Sequence, residues 1–268
     1  MKHAGTWLIV LFLAGIFTTS ITIEPTMSKI LSKPELETCF KGYKAAFALY
    51  NVKTDEHFRF NEEACAARLS PMSTFKICNS LIGLETGVVN DENFAFTWDG
   101  TKSIVCECNR DQTLQSAVTN SCVWYFRNIA SAVGAERMQN FLTAAKYGNH
   151  DISGGITKFW LDSSLKISAD EQVDFLNKLV HDQLPFSKRS MAIVRGLIRL
   201  EQTDKGTLYG KTGSNMIDGK KALGWFVGYV VQPGGIHIFA TNIQGADGAW
   251  GIKAREITRQ ILGKMGLL

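Results

Sequence analysis

Residues 70–76 read SPMSTFK, and the apolar, helix-like run ICNSLIGLETG follows at once. Ser73 and Lys76 stand three positions apart, so on a helix they share a face and hydroxyl meets amine. A serine hydroxyl is a poor nucleophile until a base takes its proton. Lysine is that base only when its pKa falls or its amine is chemically modified. Burial among Phe75, Ile77 and Leu81 would lower it, because an apolar setting disfavours the ammonium form. The start of a helix also leaves backbone N–H groups unpaired beside Ser73, suited to a developing oxyanion. The plainer reading is that Ser73 or Ser70 caps the helix while Lys76 reaches solvent, and the spacing taken alone favours it.

A second stretch changes that balance. YGKTGS at 209–214 sets Lys211, Thr212 and Gly213 on a strand, with further strand-like runs behind it. A threonine hydroxyl beside a lysine ammonium suits a substrate carboxylate, and glycine lets another backbone approach closely. S-x-x-K followed by K-T-G is a signature of class A β-lactamases and penicillin-binding proteins. K-T-G alone is a weak triplet. Behind Ser73 and Lys76, in this order, it is a specific one.

With its remaining motifs the chain resembles a class D (oxacillinase-type) serine β-lactamase over nearly everything after the leader-like start. STFK at 73–76, SCV at 121–123 followed by WYF, YGN at 147–149, FWL at 159–161 and KTG at 211–213 stand in that family's order and spacing. The class A element S-D-N is absent; Ser121-Cys122-Val123 stands where class D enzymes carry S-x-V. The resemblance implies roles for the matching residues. Ser73 attacks the β-lactam carbonyl and becomes acylated. Lys76 is carbamylated (N6-carboxylysine) by carbon dioxide, which reacts only with the neutral amine that an apolar pocket favours. Val123 keeps that pocket dry, and the indole N–H of Trp160 donates to the carbamate. Ser121, assisted by Lys211, relays a proton to the leaving nitrogen. The backbone N–H groups of Ser73 and Ser214 form the oxyanion hole. Thr212, Gly213 and Arg255, the last within KAREIT, bind the substrate, with Thr212 and Arg255 on its carboxylate. Water activated by the modified Lys76 then resolves the acyl-enzyme. No cofactor is implied beyond carbon dioxide or bicarbonate, and the implied partners are β-lactam molecules. Single residues keep plainer readings beside these. Trp124 and Trp160 fit core aromatics, Tyr147-Gly148-Asn149 a structural turn, Arg255 a surface arginine, and Cys78 and Cys122 small buried fillers.

Elements must position these groups. KAAFALYN and HFRFNEEA flank the turn-like VKTDE, which predicts a hairpin near 44–61. A helix starts near Ser73 and closes near Gly87. From about 110 to 185, DQTLQSAVTNSCVWYFRNIASAVG, AERMQNFLTAAKYG and SADEQVDFLNKLVHDQLP repeat apolar residues near the helical period, with Ser168 and Glu171 placed as a capping box. SKRSMAIVRGLIRLEQ reads as a further helix. GTLYGKTGS, ALGWFVGYVVQ and GIHIFATNIQ read as strands, with SNMIDGKKA a segment bordering the cleft, and WGIKAREITRQILGKMG closes as an amphipathic helix. Strands at both ends with helices between predict an α+β fold. It is one antiparallel sheet flanked by helices with a mostly helical insert lobe, the serine β-lactamase and penicillin-binding-protein architecture, with a site in the cleft. On this reading residues 1–20 are a signal peptide and 21–268 a catalytic domain. Its α/β lobe lies near 21–75 and 190–268, and its helical lobe near 76–189.

The 268 residues, 45% hydrophobic and 20% charged, allow a large core. In MKHAGTWLIVLFLAGIFTTS a basic start precedes an apolar run from Trp7 to Phe17 and then small residues, the layout of a secretory signal too short to span a bilayer. The expected product is soluble and exported across the inner membrane into the periplasm. Losing that segment removes Lys2 and no acid, taking the net charge from +4 to +3. So small a surplus, without a Lys/Arg block, argues against nucleic acid or anionic lipid as partner. The six cysteines permit disulfides in an oxidising compartment. The hairpin brings Cys39 and Cys65 together at its open end, so a Cys39–Cys65 bridge is expected; the pairing of Cys78, Cys106, Cys108 and Cys122 is open. Cys106-Glu107-Cys108 is not a usual metal spacing, and no pair among His57, His150, His181 and His237 has helical ligand spacing, so no metal site is expected.

Two other readings share the acylation chemistry. A D,D-peptidase or transpeptidase acts on peptidoglycan and can resolve the intermediate with an amine, whereas a β-lactam sensor stays acylated. S-x-V with the downstream Trp160 favours hydrolysis. Sensors of that kind carry a large membrane-spanning region where this chain has a signal-length segment. Substrate range within the β-lactams and oligomeric state stay open.

Overall fold

A computed structural model describes residues 30–268 together with Met1; the expected signal peptide, Met1 apart, lies outside the described residues. In chain order, α1 (Lys33–Cys39) leads into β1 (Lys44–Asn51) and β2 (Glu56–Phe60), then α2 (Glu62–Ala66), a 3-10 turn (Met72–Phe75) and α3 (Lys76–Glu85). The middle carries β3 (Ala95–Phe96) paired with β4 (Gln112–Thr113), followed by α4 (Leu114–Asn120), α5 (Val123–Val133), α6 (Ala135–Ala144), α7 (Ala169–Val180) and α8 (Lys188–Leu197). Then come β5 (Arg199–Gln202), β6 (Thr207–Ile217), β7 (Lys220–Gln232), β8 (Gly235–Gln244) and α9 (Gly251–Lys264).

The α+β expectation holds. Six strands form one antiparallel sheet in the order β2-β1-β8-β7-β6-β5. β1 meets β8 from Lys44 opposite Gln244 to Asn51 opposite His237, so the first and last strands are neighbours inside the sheet. β7 and β8 are buried almost throughout because both their faces are covered. Side chains alternate between the two sides. Phe47, Phe226 and Phe239 pack with Leu36 and Ile261 from α1 and α9. Ala46, Trp225, Val227 and Ile238 pack with the helices of the middle of the chain, including Phe75, Phe126 and Leu176.

Local signals act as read at several ends. Ser168 Oγ accepts from Glu171 N (3.1 Å) while Ser168 N donates to Glu171 Oε2 (2.9 Å), starting α7 with a capping box. Gly87, at φ +71°, follows α3 where a left-handed stop was expected. Elsewhere tertiary context prevails. RLEQ is strand β5, not the end of α8, because it pairs with the start of β6. SNMIDGKKA is a tight hairpin tip with Asp218 and Gly219 both at positive φ, so β6 and β7 run almost to its end.

The Cys39–Cys65 bridge is not formed; both residues are free thiols. Asn61 ends β2 early and caps α2, its Oδ1 accepting from Ala64 N at 3.3 Å. That turn carries Cys65 into the core on the helical side of the sheet, whereas Cys39 packs on the opposite face near Lys264 of α9. The bridge that does form joins Cys108 to Cys122, so Cys122 is no simple filler. Cys78 is a buried free thiol.

Candidate active site

Ser73 sits in the 3-10 turn that precedes α3, directly after Met72, which holds a left-handed φ of 50°. A non-glycine residue there costs ~1–3 kcal/mol and persists only where its surroundings fix it. Here they do. Met72 N donates to Trp160 O (3.1 Å), Ser70 Oγ donates to the same carbonyl (3.0 Å), and Trp225 Nε1 on the sheet donates to Ser70 O (3.0 Å). Ser70, weighed in sequence only as a cap, is a rivet between turn, loop and sheet.

Lys76, the first residue of α3, is wholly buried, with Nζ 2.7 Å from Ser73 Oγ and 5.4 Å from the centre of the Phe126 ring. Burial first, then the charges of Lys211 and Arg127, hold its amine well below the usual lysine range. Asn79, one turn further along α3, donates to Phe126 O at 3.1 Å and sets α5 against this pocket. Val123 opens α5 three residues before Phe126, on the same side of the helix. Trp160 is fully buried and packs on Phe75 with ring centres 5.5 Å apart, and its indole N–H has no hydrogen-bond partner among the described residues. YGN braces the loop that carries it: Asn149 Oδ1 accepts from Lys166 N and Nδ2 donates to Ser164 O, both at 2.9 Å. Gly148 is at φ +57°, and a Cβ there would run into the Lys166 carbonyl.

Across the cleft, Lys211 Nζ lies 3.1 Å from Ser121 Oγ. Lys211 projects from β6 into the interior, and burial lowers its amine to about 8. The helical period running from Asp111 to Gly134 is broken at Ser121, whose φ of 61° and ψ of 39° end α4 before α5 begins. Gly213 brings β6 against the nucleophile's turn: a Cβ on it would stand 3.3 Å from Ser73 N. Ser214 follows, its Oγ accepting from Gly251 N (2.9 Å) at the start of α9. β5 pairs with β6 only as far as Tyr209, leaving the edge from Lys211 onward facing the cleft.

Lys211, Thr212 and Arg255 line one cleft of about 240 Å3, together with Arg199, Leu200 and Val118. Three cations around so small a space suit an anionic group such as a carboxylate. The structure thus gathers Ser73, Lys76, Ser121, Lys211, Thr212, Gly213, Ser214 and Arg255 where the helical side meets the edge of β6. Trp160 packs on Phe75, next to Lys76 in sequence, and Val123 opens the helix whose Phe126 lies over the Lys76 amine. Sequence reasoning missed Phe126 as the cover of Lys76, Arg199 in the cleft and Cys108 behind Ser121. Only Phe126 carried a signal, as the last residue of the WYF that trails SCV.

The family model for the penicillin binding protein transpeptidase domain matches residues 43–263. The protein named "Probable beta-lactamase YbxI" from Bacillus subtilis is 43% identical over 89% of this chain and 87% of its own length. Regulatory protein BlaR1 of Bacillus licheniformis is 35% identical over 95% of this chain but only 43% of its own length. The crystal structure of a class D β-lactamase from Bacillus subtilis superposes with a TM-score of 0.84 at 42% identity, covering 91% of this chain and 99% of that one. The sheet, the serine-lysine turn and the K-T-G strand define the penicillin-binding transpeptidase fold. Within it, the chain belongs to the class D β-lactamases, and β-lactam hydrolysis is the activity its relatives support.

Proposed function

We propose that this enzyme opens penicillin-type β-lactams through a Ser73 acyl-enzyme, with Lys76 carbamylated as general base, and so confers resistance to them. The 2.7 Å contact between the Ser73 hydroxyl and the wholly buried Lys76 amine carries this reading. Burial favours the neutral form of that amine, and the indole N–H of Trp160, unpartnered among the described residues, fits a carbamate oxygen. Carboxylation of that nitrogen by carbon dioxide would supply a carboxylate base in a dry site. Ser73 then loses its proton toward Lys76 as Oγ bonds to the lactam carbonyl carbon. The amides of Ser73 and Ser214 stabilise the oxyanion. Ser121, beside Lys211, gives a proton to the nitrogen as the C–N bond breaks. Thr212, Lys211 and Arg255 hold the carboxylate, and water deprotonated at Lys76 releases the product. Export is part of this reading and rests on the leader-like sequence of residues 1–20.

Similarity to BlaR1 favours one second reading, acylation without turnover. Both are tested by mixing purified protein with a chromogenic cephalosporin and a penicillin, with and without bicarbonate, while following turnover and intact mass. Sustained hydrolysis that rises with bicarbonate is expected, with Ser73→Ala losing both acylation and turnover. One stoichiometric acylation with no further turnover would replace hydrolase by sensor.

A further inference from the structure

Ser121 is a left-handed residue in a two-residue joint, and local hydrogen bonds fix only one side of that joint. Ser121 N donates to Val118 O (3.3 Å) and Cys122 N to Ala117 O (2.9 Å), both back into α4. Forward of it, α5 starts at Val123, and its N-cap residue Cys122 makes no side-chain cap. Asn79, donating to Phe126 O, and the Tyr125 hydroxyl, donating to Phe94 O at 2.7 Å, anchor α5 further along, but at the joint itself the tie is to Cys108. Its sulfur is bonded to Cys122, and its carbonyl accepts from Trp124 Nε1 at 2.7 Å. Two ties, from residues 122 and 124, thus converge on a residue fourteen positions before the first of them, and both cysteines are fully buried. Cys108 is itself held in a 3-10 turn, its N–H donating to Val105 O at 3.0 Å, and Gln112 Nε2 braces the preceding carbonyl, Glu107 O, at 2.7 Å.

Meanwhile the Ser121 hydroxyl meets Lys211 Nζ at 3.1 Å, a length at which a displacement of half an ångström ends the hydrogen bond. We infer that the Cys108–Cys122 disulfide is a positioning element of the active site: it fixes the entry of α5 so that Ser121 faces Lys211 and the leaving nitrogen. Neither cysteine touches the reacting atoms. The inference rests on the proposed role of Ser121 as the proton relay.

That dependence supplies a selective readout. A penicillin expels a basic amine nitrogen, which needs a proton as the C–N bond breaks. A cephalosporin with a conjugated leaving system spreads the nitrogen lone pair and needs that proton less. The experiment compares single-turnover acylation of the two substrates in wild type, Ser121→Ala and the double variant Cys108→Ala/Cys122→Ala, with Cys106→Ser as a control of unchanged activity. Each sample is scaled to its fraction of acylatable protein. In the double variant, penicillin acylation is expected to fall by roughly tenfold or more, part of the ~10²–10⁴ that a positioned acid contributes. Cephalosporin acylation should change less than about threefold on the same argument, and the bicarbonate requirement at Lys76 should not move.

Equal losses on both substrates, or an unaltered substrate ratio while Ser121→Ala shows a selective penicillin loss, would overturn the positioning role alone. Absence of a selective loss in Ser121→Ala would instead remove the relay reading and the inference with it. Should the double variant not fold, reversible reduction of the native protein replaces it, with thiols counted by mass. The penicillin-selective loss must then appear on reduction and vanish on reoxidation; a folded, reduced protein with the wild-type ratio overturns the inference.

Discussion

Gly213 and Ser73 meet backbone to backbone: a Cβ on residue 213 would lie 3.3 Å from the Ser73 amide nitrogen and 2.9 Å from the Pro71 carbonyl oxygen. This is how a strand of the sheet and the turn before α3 share one reaction centre. The atoms facing Gly213 include main chain, which cannot swing aside. Gly213→Ala is therefore expected to push β6 off the turn, lowering acylation by on the order of 10²-fold. The accompanying loss of stability should be ~1–3 kcal/mol. Stopped-flow acylation and a denaturant melt check both, and wild-type acylation in this variant would contradict the shared centre.

Trp160→Phe separates packing from donation. The aromatic contacts to Phe75 and Phe159 are retained in kind, while the buried N–H disappears. A hydrogen bond to a charged group contributes ~1.5–3 kcal/mol, so the bicarbonate concentration for half-maximal activity should rise about ten- to a hundredfold. A bicarbonate titration with carbon-13 NMR of the labelled carbamate measures this. An unchanged titration would leave Trp160 as core packing only.

The two buried lysines give the enzyme opposite pH limbs. Lys211 is an ammonium below about 8 and neutral above it, so carboxylate binding and the Ser121 relay should weaken as pH rises through that value. Lys211→Arg, charged at all accessible pH, should move the alkaline limb out of range. On the acid side, protonation of Lys76 opposes carbamylation, so activity lost on acidification should return on adding bicarbonate. Stability follows the same sign. Between about 8 and the ordinary 10.5, the unfolded chain binds a proton at Lys211 that the folded chain does not. Unfolding free energy should therefore climb with pH across that window relative to Lys211→Met. A falling difference would contradict the buried placement.

Arg255→Ala tests the cationic cleft. KM for penicillins should rise by about tenfold, the loss of one charge-assisted hydrogen bond, while kcat changes little. The methyl ester of the same penicillin, lacking the anion, should lose most of that difference. Equal effects on acid and ester would place Arg255 outside the carboxylate site.

Much of this was legible in residue order because covalent chemistry demands residue types. Ser73, Lys76 and the K-T-G strand are readable since no neutral substitution preserves a nucleophile, a base and a close backbone approach. The sheet was readable from the long apolar run of β7, which double-sided burial explains. Conformation set from a distance was not. The apolar period runs straight through the left-handed Ser121, and its neighbour Cys122 is tied to a sulfur fourteen residues away. Cys39 and Cys65 flank one hairpin, yet Asn61 starts a helix that sends them to opposite sides of the sheet. β5 has no apolar alternation to betray it; as an edge strand it is called into being by its partner.

The pairing of β1 with β8 has a consequence for the life of the chain. A growing polypeptide cannot seal its sheet until residues near 244 have emerged, so nearly two hundred residues must wait for the tail. Early termination would not yield a weaker enzyme but an open scaffold with raw strand borders, ready for clumping or degradation.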